Sequence, residues 1–284
     1  MNTIGIIGFG ITGRAIQHGF AQITKFRIYD KNKKISEDSL SKTVHDSDFI
    51  FLCLPTPMNE DTGKCDIGII DDTFKKIKGI LTKKEYEEKI FIIKSTVPPG
   101  TTTHLKDKYY QMRIIHNPEF LTERSYLLDF INSARIILGG DGDDCVKVAD
   151  LYRQRFSHTP IVITTSETSE LVKYAANAFF STKLSFFNEI YDICEYMGIN
   201  YNSVRDMILM DGRVGNSHTD IPGHDGDRGF GGKCFPKDIN GLIYKAKDLG
   251  VEPIVLEAVW KKNIQIRKNK DWLEIDGAVN GKDN

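Results

Sequence analysis

The chain has 284 residues, of which 40% are hydrophobic and 27% charged, so it can bury a substantial core, and we expect two modest domains. Its 38 basic and 39 acidic side chains leave a formal charge of -1, which argues against nucleic acid or an anionic membrane surface as a partner. Five scattered cysteines without CxxC spacing and the lack of a ~20-residue apolar run predict a cytoplasmic protein with no metal site, export signal or membrane span.

Short β-rich runs alternate with helical stretches in the first half of the chain. In order they read TIGIIG, KFRIYD, DFIFLCL, KIFIIKSTV, MRIIHNP, RIILGG and PIVITT. This alternation is typical of a parallel sheet covered by helices. We therefore predict an α/β fold, with a Rossmann-like doubly wound parallel sheet over residues 1–165.

The pattern changes to helical periodicity at Ser166 and continues to Gly198 without a proline, which predicts one long helix buried on several sides. Ser166 or Thr168 can cap its start, and Gly198 can end it. Further helices are predicted from Asn202 as the N-cap through Met210, from Pro236 to about Leu249, and from Pro253 onward. The sequence thus predicts an all-helical central domain over residues 166–270, followed by a polar tail with a frayed end over 271–284.

Three glycines in GFGITG, Gly8, Gly10 and Gly13, follow the first strand and precede a helical stretch. Asp30 ends the next strand, 22 residues after Gly8. Such glycines let the backbone approach a pyrophosphate at a helix N-terminus, and the acid can bind the adenosine ribose, which favours NAD over NADP. The alternatives are a tight turn without a ligand and a solvated strand end. Only 17 residues separate Asp30 from Asp48, which leaves room for little more than one short helix.

Further candidates follow the later strands, at the edge where open α/β sheets bind ligands. Thr56 lies in LPTPMNED after the third strand and Thr96 in KSTVPPGT after the fourth, although prolines in such loops also indicate ordinary turns. Glu119 and Glu123 follow the fifth strand in NPEFLTER and share one face if a helix starts there. The alternative for this pair is an exposed helix face.

Lys173 and Asn177 are four residues apart in the long helix, within a stretch rich in alanine and aromatic residues. Burying an amine and an amide without partners costs several kcal/mol, so either an ion pair satisfies them or they line a cavity. The sequence leaves both open.

Cys234 lies in GFGGKCFPKD, just ahead of the helix that we expect to begin at Pro236. The helix N-terminus, Lys233 and Lys237 favour a thiolate there, whereas Asp238 opposes it. Such a thiol suits covalent catalysis, with a packing thiol as the alternative. Cys53 and Cys194 instead resemble buried packing residues.

Seven motifs carry a resemblance to a known family: GFGITG, LPTPMNEDTGKCD, KSTVPPGTT, NPEFLTE, ELVKYAANAF, GRVGN and GFGGKCFPKD. In order and approximate spacing they resemble the UDP-glucose dehydrogenase family, with GDP-mannose dehydrogenases as close relatives, over residues 3–265. The family oxidises the C6 alcohol of a nucleotide sugar to a carboxylate with two NAD molecules, through a cysteine-bound thiohemiacetal and thioester.

The resemblance implies catalytic roles for several positions. Cys234 is the implied nucleophile, Lys173 and Asn177 stabilise an oxyanion, and Asp238 transfers protons through a water that Lys173 also holds. Glu119 assists hydrolysis of the thioester, with Thr96 near that water and the nicotinamide.

The resemblance also implies binding roles. Glu123 contacts the nicotinamide amide, while Thr56 and Lys237 fall at further cofactor positions. The loop from Gly223 to Asp227 and Gly231 match the part that wraps the sugar nucleotide. Arg213 matches an arginine that reaches the substrate of a neighbouring subunit, which implies a homodimer built on the long helix.

Two departures from the family pattern stand out: the short stretch after Asp30 lacks a PxxEPGL-like segment, and the chain stops soon after Asn263, where relatives continue into a second α/β domain. UDP-glucose is the substrate that the resemblance favours. The alternatives are a two-electron 3-hydroxyacid dehydrogenase, which needs no nucleophilic cysteine, and an inactive NAD-binding module that pairs with a full-length enzyme.

Overall fold

A computed structural model describes residues 1–280, and the last four residues of the predicted tail lie outside the described part. The chain divides into two compact units, the first comprising residues 1–56 and 66–173 and the second comprising residues 57–65 and the chain from Tyr174 onward. The sequence predicts a boundary after residue 165 and does not predict that residues 57–65 belong to the second unit.

The chain has nine strands and eleven α-helices over its described part. In chain order the strands are β1 (Thr3–Ile7), β2 (Lys25–Tyr29), β3 (Phe49–Leu52), β4 (Met58–Asn59), β5 (Ile90–Ile93), β6 (Arg113–His116), β7 (Ile136–Gly139), β8 (Ile161–Thr164) and β9 (Val279–Asn280). The helices are α1 (Ile11–Phe20), α2 (Leu40–His45), α3 (Gly68–Ile80), α4 (Lys83–Glu88), α5 (Thr101–Lys108), α6 (Tyr126–Ile131), α7 (Gly142–Arg153), α8 (Ser166–Met197), α9 (Tyr201–Leu209), α10 (Phe235–Asp248) and α11 (Ile254–Ile266).

The first unit contains a seven-stranded sheet in the order β2-β1-β3-β5-β6-β7-β8. Neighbouring strands are parallel except for β6 and β7, so the last two strands run opposite to the others. All seven predicted strands of the first half are confirmed, and the fold class is confirmed as a Rossmann-like α/β domain. From β1 the chain continues to β2 on one side, and from β3 it continues to β5 on the other side. Such a change of direction between β1 and β3 leaves a crevice at the carboxyl ends of these two strands.

The sheet separates two hydrophobic clusters, because successive side chains of a strand point to opposite faces. In β5, Ile90 and Ile92 pack with the helices α1, α6 and α7, whereas Phe91 and Ile93 pack with α2, α3, α4 and α5. Both faces are therefore covered, as a doubly wound fold requires.

The helices of the second half lie close to their predicted positions. Helix α8 begins at Ser166 as expected, but Thr165 accepts the capping hydrogen bond, from the Thr168 backbone N–H at 3.2 Å. The helix ends before Gly198, whose φ of 67° lies in the left-handed region. The prediction of Asn202 as the cap of α9 is wrong, because Asn200 accepts a hydrogen bond from the Ser203 N–H at 3.1 Å.

The described end of the second unit is packed, in contrast to the frayed end that we expect from the sequence. Residues Asp271–Leu273 form a 3₁₀ turn that buries Trp272, whose ring centroid lies 5.6 Å from that of Trp260. Beyond the turn, Ala278 is buried and β9 pairs in parallel with β4. Two tryptophans, rather than local propensity, stabilise this segment.

Helix α8 is buried along some faces and exposed along another. Phe179, Phe186, Ile193, Tyr196 and Met197 are all more than half exposed, and the first three are spaced by seven residues. This spacing places them along one face of the helix. We refer to these five side chains as the exposed apolar face of α8.

Candidate active site

The glycine turn of the first unit has the shape of a phosphate cradle. Gly8 has a φ of 95°, and a Cβ atom added to it would lie 2.4 Å from the Cys53 carbonyl oxygen, so only glycine fits there. Gly13 packs as closely, since an added Cβ atom would lie 2.4 Å from the Gly8 carbonyl oxygen. Gly10 is the N-cap of α1, provides no side-chain cap and has open space around it. The N–H groups of the first turn of α1 therefore suit a pyrophosphate.

Asp30 directly follows β2, and its carboxylate is bound to the glycine turn. Its Oδ2 accepts a hydrogen bond from the Phe9 N–H at 2.7 Å, and its Oδ1 accepts one from the Asn32 N–H at 2.8 Å. Each oxygen keeps lone-pair capacity for a ribose hydroxyl. The Asp30 carboxylate thus positions the glycine turn and also offers the predicted hydrogen-bond acceptor. As the short spacing predicts, α2 is the single helix between β2 and β3.

The structure brings the two candidate threonines of the first unit together. The Thr56 hydroxyl donates to the Thr96 carbonyl oxygen at 2.8 Å, which joins the loops after β3 and β5. Between them, the Ser95 hydroxyl accepts from the Leu54 N–H and donates to the Leu54 carbonyl. These loops lie at the sheet edge where the sequence predicts a ligand site.

Glu119 and Lys173 form an ion pair at 2.9 Å, with side chains that are 14% and 4% exposed. Burial raises the pKa of the Glu119 carboxyl, but the Lys173 ammonium and the Leu121 N–H lower it more strongly, so its pKa lies below the usual range. The Lys173 ammonium also lies 5.5 Å from the centroid of the Phe120 ring. Of the two arrangements left open by the sequence, the ion pair is the one observed for Lys173.

Glu123 does not share a helix face with Glu119. No helix starts at NPEFLTER, because Glu119 Oε2 accepts from the Leu121 N–H at 2.6 Å and α6 begins only at Tyr126. Glu123 lies in an exposed turn. The conditional expectation of one helical face is wrong, whereas the predicted contact of Glu123 with a cofactor stays a prediction.

Two residues that we did not single out from the sequence bind the start of α8 to the sheet edge. Glu170 is fully buried and accepts from the Gly100 N–H at 2.6 Å and the Thr102 N–H at 2.7 Å, at the first turn of α5. Burial raises its pKa to about 7 although these hydrogen bonds lower it. Ser169 contacts the His116 ring at 2.8 Å. A carboxylate one turn before Lys173 in an apolar helix was the available signal.

In the second unit, Asp238 binds two other candidate residues, Asn177 and Lys237. Its Oδ2 accepts from the Asn177 amide at 2.6 Å, and its Oδ1 accepts from the Lys237 ammonium at 2.5 Å. Burial lowers the pKa of Lys237, but the adjacent Asp238 carboxylate raises it more, so the pKa lies above its usual value. Lys237 is 5% exposed, and its predicted contact with a cofactor stays a prediction.

Cys234 is the N-cap residue of α10, and its side chain is exposed. The helix begins at Phe235, one residue before the predicted Pro236. The positive end of the helix dipole faces this position and favours a thiolate. Lys233 donates to the Asp276 carbonyl oxygen at 2.9 Å.

The other cysteines discussed above behave as packing residues. Cys53 lies in the first unit, where burial raises the pKa of its thiol to about 12. Cys194 is buried among the hydrophobic residues around α8. Both thiols pack against hydrophobic clusters as predicted, although Cys53 is only partly buried.

The loop before Cys234 is positioned by Arg267, whose side chain is 2% exposed and binds Asp225 at 2.6 Å. Gly231 lies directly against it, since an added Cβ would come within 2.3 Å of the Arg267 guanidinium. Asp227 accepts from the Lys268 N–H at 3.1 Å. The loop from Gly223 onward is therefore held in place, although its predicted contact with a sugar nucleotide stays a prediction. Sequence reasoning missed Arg267.

Arg213 lies outside these clusters. Its side chain is 89% exposed and pairs with Asp211 at 2.5 Å. Within residues 1–280, no cluster of His, Cys, Asp and Glu side chains could hold a metal ion. No helix of that same part is long and apolar enough to span a bilayer.

A glycine cradle on α1, with an acid after β2, defines the first unit as a dinucleotide-binding domain of the dehydrogenase class. Residues 16–156 match the model of the NAD binding domain of the UDP-glucose/GDP-mannose dehydrogenase family, and residues 167–265 match the model of its central domain. The chain belongs to this family, and NAD is the cofactor of the matched domain.

Individual relatives agree with this membership. The chain is 32% identical over 273 residues to the UDP-glucose 6-dehydrogenase TuaD of Bacillus subtilis, covering 93% of this chain and 57% of that protein. A UDP-glucose dehydrogenase from Pyrobaculum islandicum superposes with a TM-score of 0.83 at 27% identity, over 93% of this chain and 68% of that one. The chain thus spans little more than half the length of TuaD.

A 3-hydroxyisobutyrate dehydrogenase of Mycobacterium tuberculosis also superposes, with a TM-score of 0.74 over 93% of both chains. At 14% sequence identity, this similarity concerns the fold alone.

Proposed function

We propose that the protein is an NAD-dependent nucleotide-sugar 6-dehydrogenase that oxidises UDP-glucose to UDP-glucuronate through covalent intermediates on Cys234. The observation that carries this proposal is an exposed thiol at the N-terminus of α10, one turn before the buried Asp238 that binds Asn177. The name of TuaD supports UDP-glucose as the substrate. We also place the protein in the cytoplasm, where its thiols stay reduced.

NAD, when bound, accepts a hydride from the substrate in each of two oxidations. The glycine cradle would hold its pyrophosphate, Asp30 would accept a hydrogen bond from its ribose, and Thr56, Glu123 and Lys237 would make further contacts. In the first oxidation the C6 alcohol loses a hydride and its hydroxyl proton, which passes through water to Asp238 and then to solvent. The product of this step is an aldehyde.

The Cys234 thiolate then attacks the aldehyde carbon, which forms a C–S bond and places negative charge on the aldehyde oxygen. Lys173 and Asn177 stabilise this oxyanion, because a fixed ammonium and amide need not reorganise as the charge develops. Loss of the second hydride converts the thiohemiacetal into a thioester.

Water attacks the thioester carbon and the C–S bond breaks, which returns the sulfur of Cys234 and releases the carboxylate. Glu119 and Thr96 position this water. The low pKa of Glu119 keeps a carboxylate available to accept a proton from it. Overall, one alcohol, one water and two NAD⁺ yield one carboxylate, two NADH and three protons.

Two other functions remain as alternatives. A 3-hydroxyacid dehydrogenase, which would share a dinucleotide-binding domain followed by a long helix, transfers two electrons and uses no thiol. An inactive NAD-binding module would bind NAD without oxidising a sugar.

The stoichiometry of NADH distinguishes these functions. We expect the pure protein with NAD and UDP-glucose to yield two NADH per uronate, measured as absorbance of NADH against product quantified by chromatography. A panel of nucleotide sugars and 3-hydroxyacids provides the comparison. One NADH per product on a hydroxyacid would support the first alternative, and NAD binding without turnover on any substrate would support the second.

We further propose a homodimer formed through the exposed apolar face of α8. Burial of several half-exposed aromatic and aliphatic side chains stabilises an interface by roughly 25 cal/mol per Å² of apolar area. A symmetric pair would present Arg213 of one protomer to the substrate phosphates of its partner. The exposure of Arg213 supports this role, because its guanidinium is accessible to a second chain.

The dimer proposal predicts that assembly and substrate affinity change together. Phe186→Glu should give a monomer by light scattering, and Arg213→Ala should raise KM for UDP-glucose by roughly 10-fold to 100-fold without changing the dissociation constant of NAD. Arg153→Ala is the matched control, since Arg153 is also exposed and pairs with a nearby aspartate at 2.8 Å. A monomeric wild-type chain with full activity would contradict the proposal.

A further inference from the structure

Lys94 directly follows β5, and its ammonium is buried at the sheet edge. The residue is 4% exposed, and its Nζ donates to Asn117 Oδ1 at 2.9 Å and to the Pro118 carbonyl oxygen at 3.0 Å. Burial lowers its pKa to about 8, although the Glu119 charge raises it. The mechanism above assigns this lysine no role. Burying an ammonium group costs free energy, so the position of Lys94 needs an explanation.

Asn117 connects Lys94 to three other elements. Its backbone N–H donates to the Ile93 carbonyl of β5 at 2.9 Å, and its side-chain amide donates to the Ile137 carbonyl of β7 at 2.8 Å. The Tyr152 hydroxyl of α7 donates to the same Oδ1 atom as Lys94, at 2.6 Å. Hydrogen bonds to β5, β7 and α7 therefore hold Asn117 in place, and Lys94 links Asn117 to the Pro118 carbonyl oxygen.

Glu119 is the next residue after Pro118, and it takes up its ion pair with Lys173 from a segment without regular secondary structure. We propose that Lys94 is a positioning residue: it holds Asn117 and Pro118 so that Glu119 meets Lys173. The catalytic consequence rests on the proposed function, in which Glu119 assists thioester hydrolysis. The structural part of the proposal does not.

The charges around Lys94 determine the sign of its effect. Three ionisable groups influence the Lys94 ammonium through their charge: Glu119 in the loop after β6, Cys53 after β3, and Lys173 in α8. His116 lies nearby at the end of β6. Burial raises the pKa of Cys53 to about 12 and lowers that of His116 to about 3, so both are neutral at pH 7. Two ammonium groups thus act on the Glu119 carboxylate, Lys173 through its ion pair at 2.9 Å and Lys94 through its charge alone. Removal of the Lys94 charge must favour protonated Glu119 and raise its pKa.

Lys89, at the opposite end of β5, offers a matched control. It is also buried, and its Nζ donates to the His45 and Ser47 carbonyl oxygens at 2.8 and 2.9 Å. Lys94→Met and Lys89→Met therefore each remove a buried ammonium with two acceptors from a position directly next to β5. Only the first acts on Glu119.

The first measurement follows the carboxylate stretch of Glu119 by infrared difference titration, with Glu119→Gln used to assign the band. We expect the band to titrate at higher pH in Lys94→Met than in the wild type, and at the wild-type pH in Lys89→Met. Lys94→Arg, which keeps the charge, should return the titration toward the wild type. Equal titration in both methionine variants would overturn the proposal.

The second measurement is steady-state kinetics. In Lys94→Met we expect kcat to fall roughly 10-fold to 100-fold, the scale of small misplacements of reacting groups, with KM for NAD unchanged. The acid limb of the kcat–pH profile should move to higher pH. Lys89→Met should lower the melting temperature without moving that limb. A loss of kcat in Lys94→Met with an unmoved limb would reduce Lys94 to a residue of general stability.

Two arms keep the test decisive. If Lys94→Met shows no cooperative unfolding, Lys94→Gln replaces it, because the amide keeps one donor for the Pro118 carbonyl but carries no charge, and the same shift is expected. If no variant, wild type included, oxidises UDP-glucose, the proposed function fails. The infrared titration then decides the role of Lys94 by itself.

Discussion

Replacement of Cys234 by serine is expected to abolish formation of the uronate while leaving NAD binding intact. The serine hydroxyl lacks the nucleophilicity of a thiolate, so it cannot attack the aldehyde, and no thioester can form. Loss of a nucleophile lowers turnover by on the order of 10⁴-fold or more. Product analysis by chromatography and NAD titration by fluorescence measure the two properties separately.

A second thiol variant serves as the control for Cys234→Ser. Cys145 is fully buried in the hydrophobic core of the first unit, and burial raises the pKa of its thiol to about 11. Cys145→Ser should lower the melting temperature and retain acid formation, because a buried hydroxyl costs stability without touching the reaction. Wild-type-like acid formation in Cys234→Ser would refute covalent catalysis.

Periodicity and glycine spacing predict most of the fold, because those patterns reflect local geometry. The sheet residues of β5 alternate between two clusters, and Gly8 sits at a φ that glycine tolerates. Helix α8 ends within one residue of the predicted Gly198 for the same local reason. The seven strands and four main helices of the prediction follow from such signals.

The remaining features depend on contacts between distant parts of the chain. Glu119 lies in a loop because the contacts of Asn117 and the ion pair to Lys173 outweigh any helical tendency of NPEFLTER. The described part of the polar tail, up to residue 280, is packed because Trp272 is buried against Trp260, a partner twelve residues away. The supporting residue Lys94 carries no motif signal, since only the folded chain shows which polar atoms it binds, whereas the position of Glu170 one turn before Lys173 was the available signal for that residue.

Replacement of Lys173 by alanine is expected to lower kcat by roughly 10²-fold to 10³-fold, with little change in NAD affinity. The ammonium acts where an oxyanion develops, so its loss destabilises the transition state more than the ground state. The low pKa of Glu119 should also rise, because burial is then no longer opposed by the Lys173 charge. Turnover numbers, NAD titration and the kcat–pH profile test these three statements.

Stability needs a separate control, because removing one partner of a buried ion pair costs about 3–5 kcal/mol. Lys173→Ala leaves the Glu119 carboxylate, with a side chain only 14% exposed, without its 2.9 Å partner. The double variant Lys173→Ala with Glu119→Gln removes the unpaired charge and should recover most of the lost melting temperature but none of the lost turnover. Recovery of both together would show that Lys173 acts through folding alone. A change confined to the NAD dissociation constant would instead make Lys173 a cofactor contact.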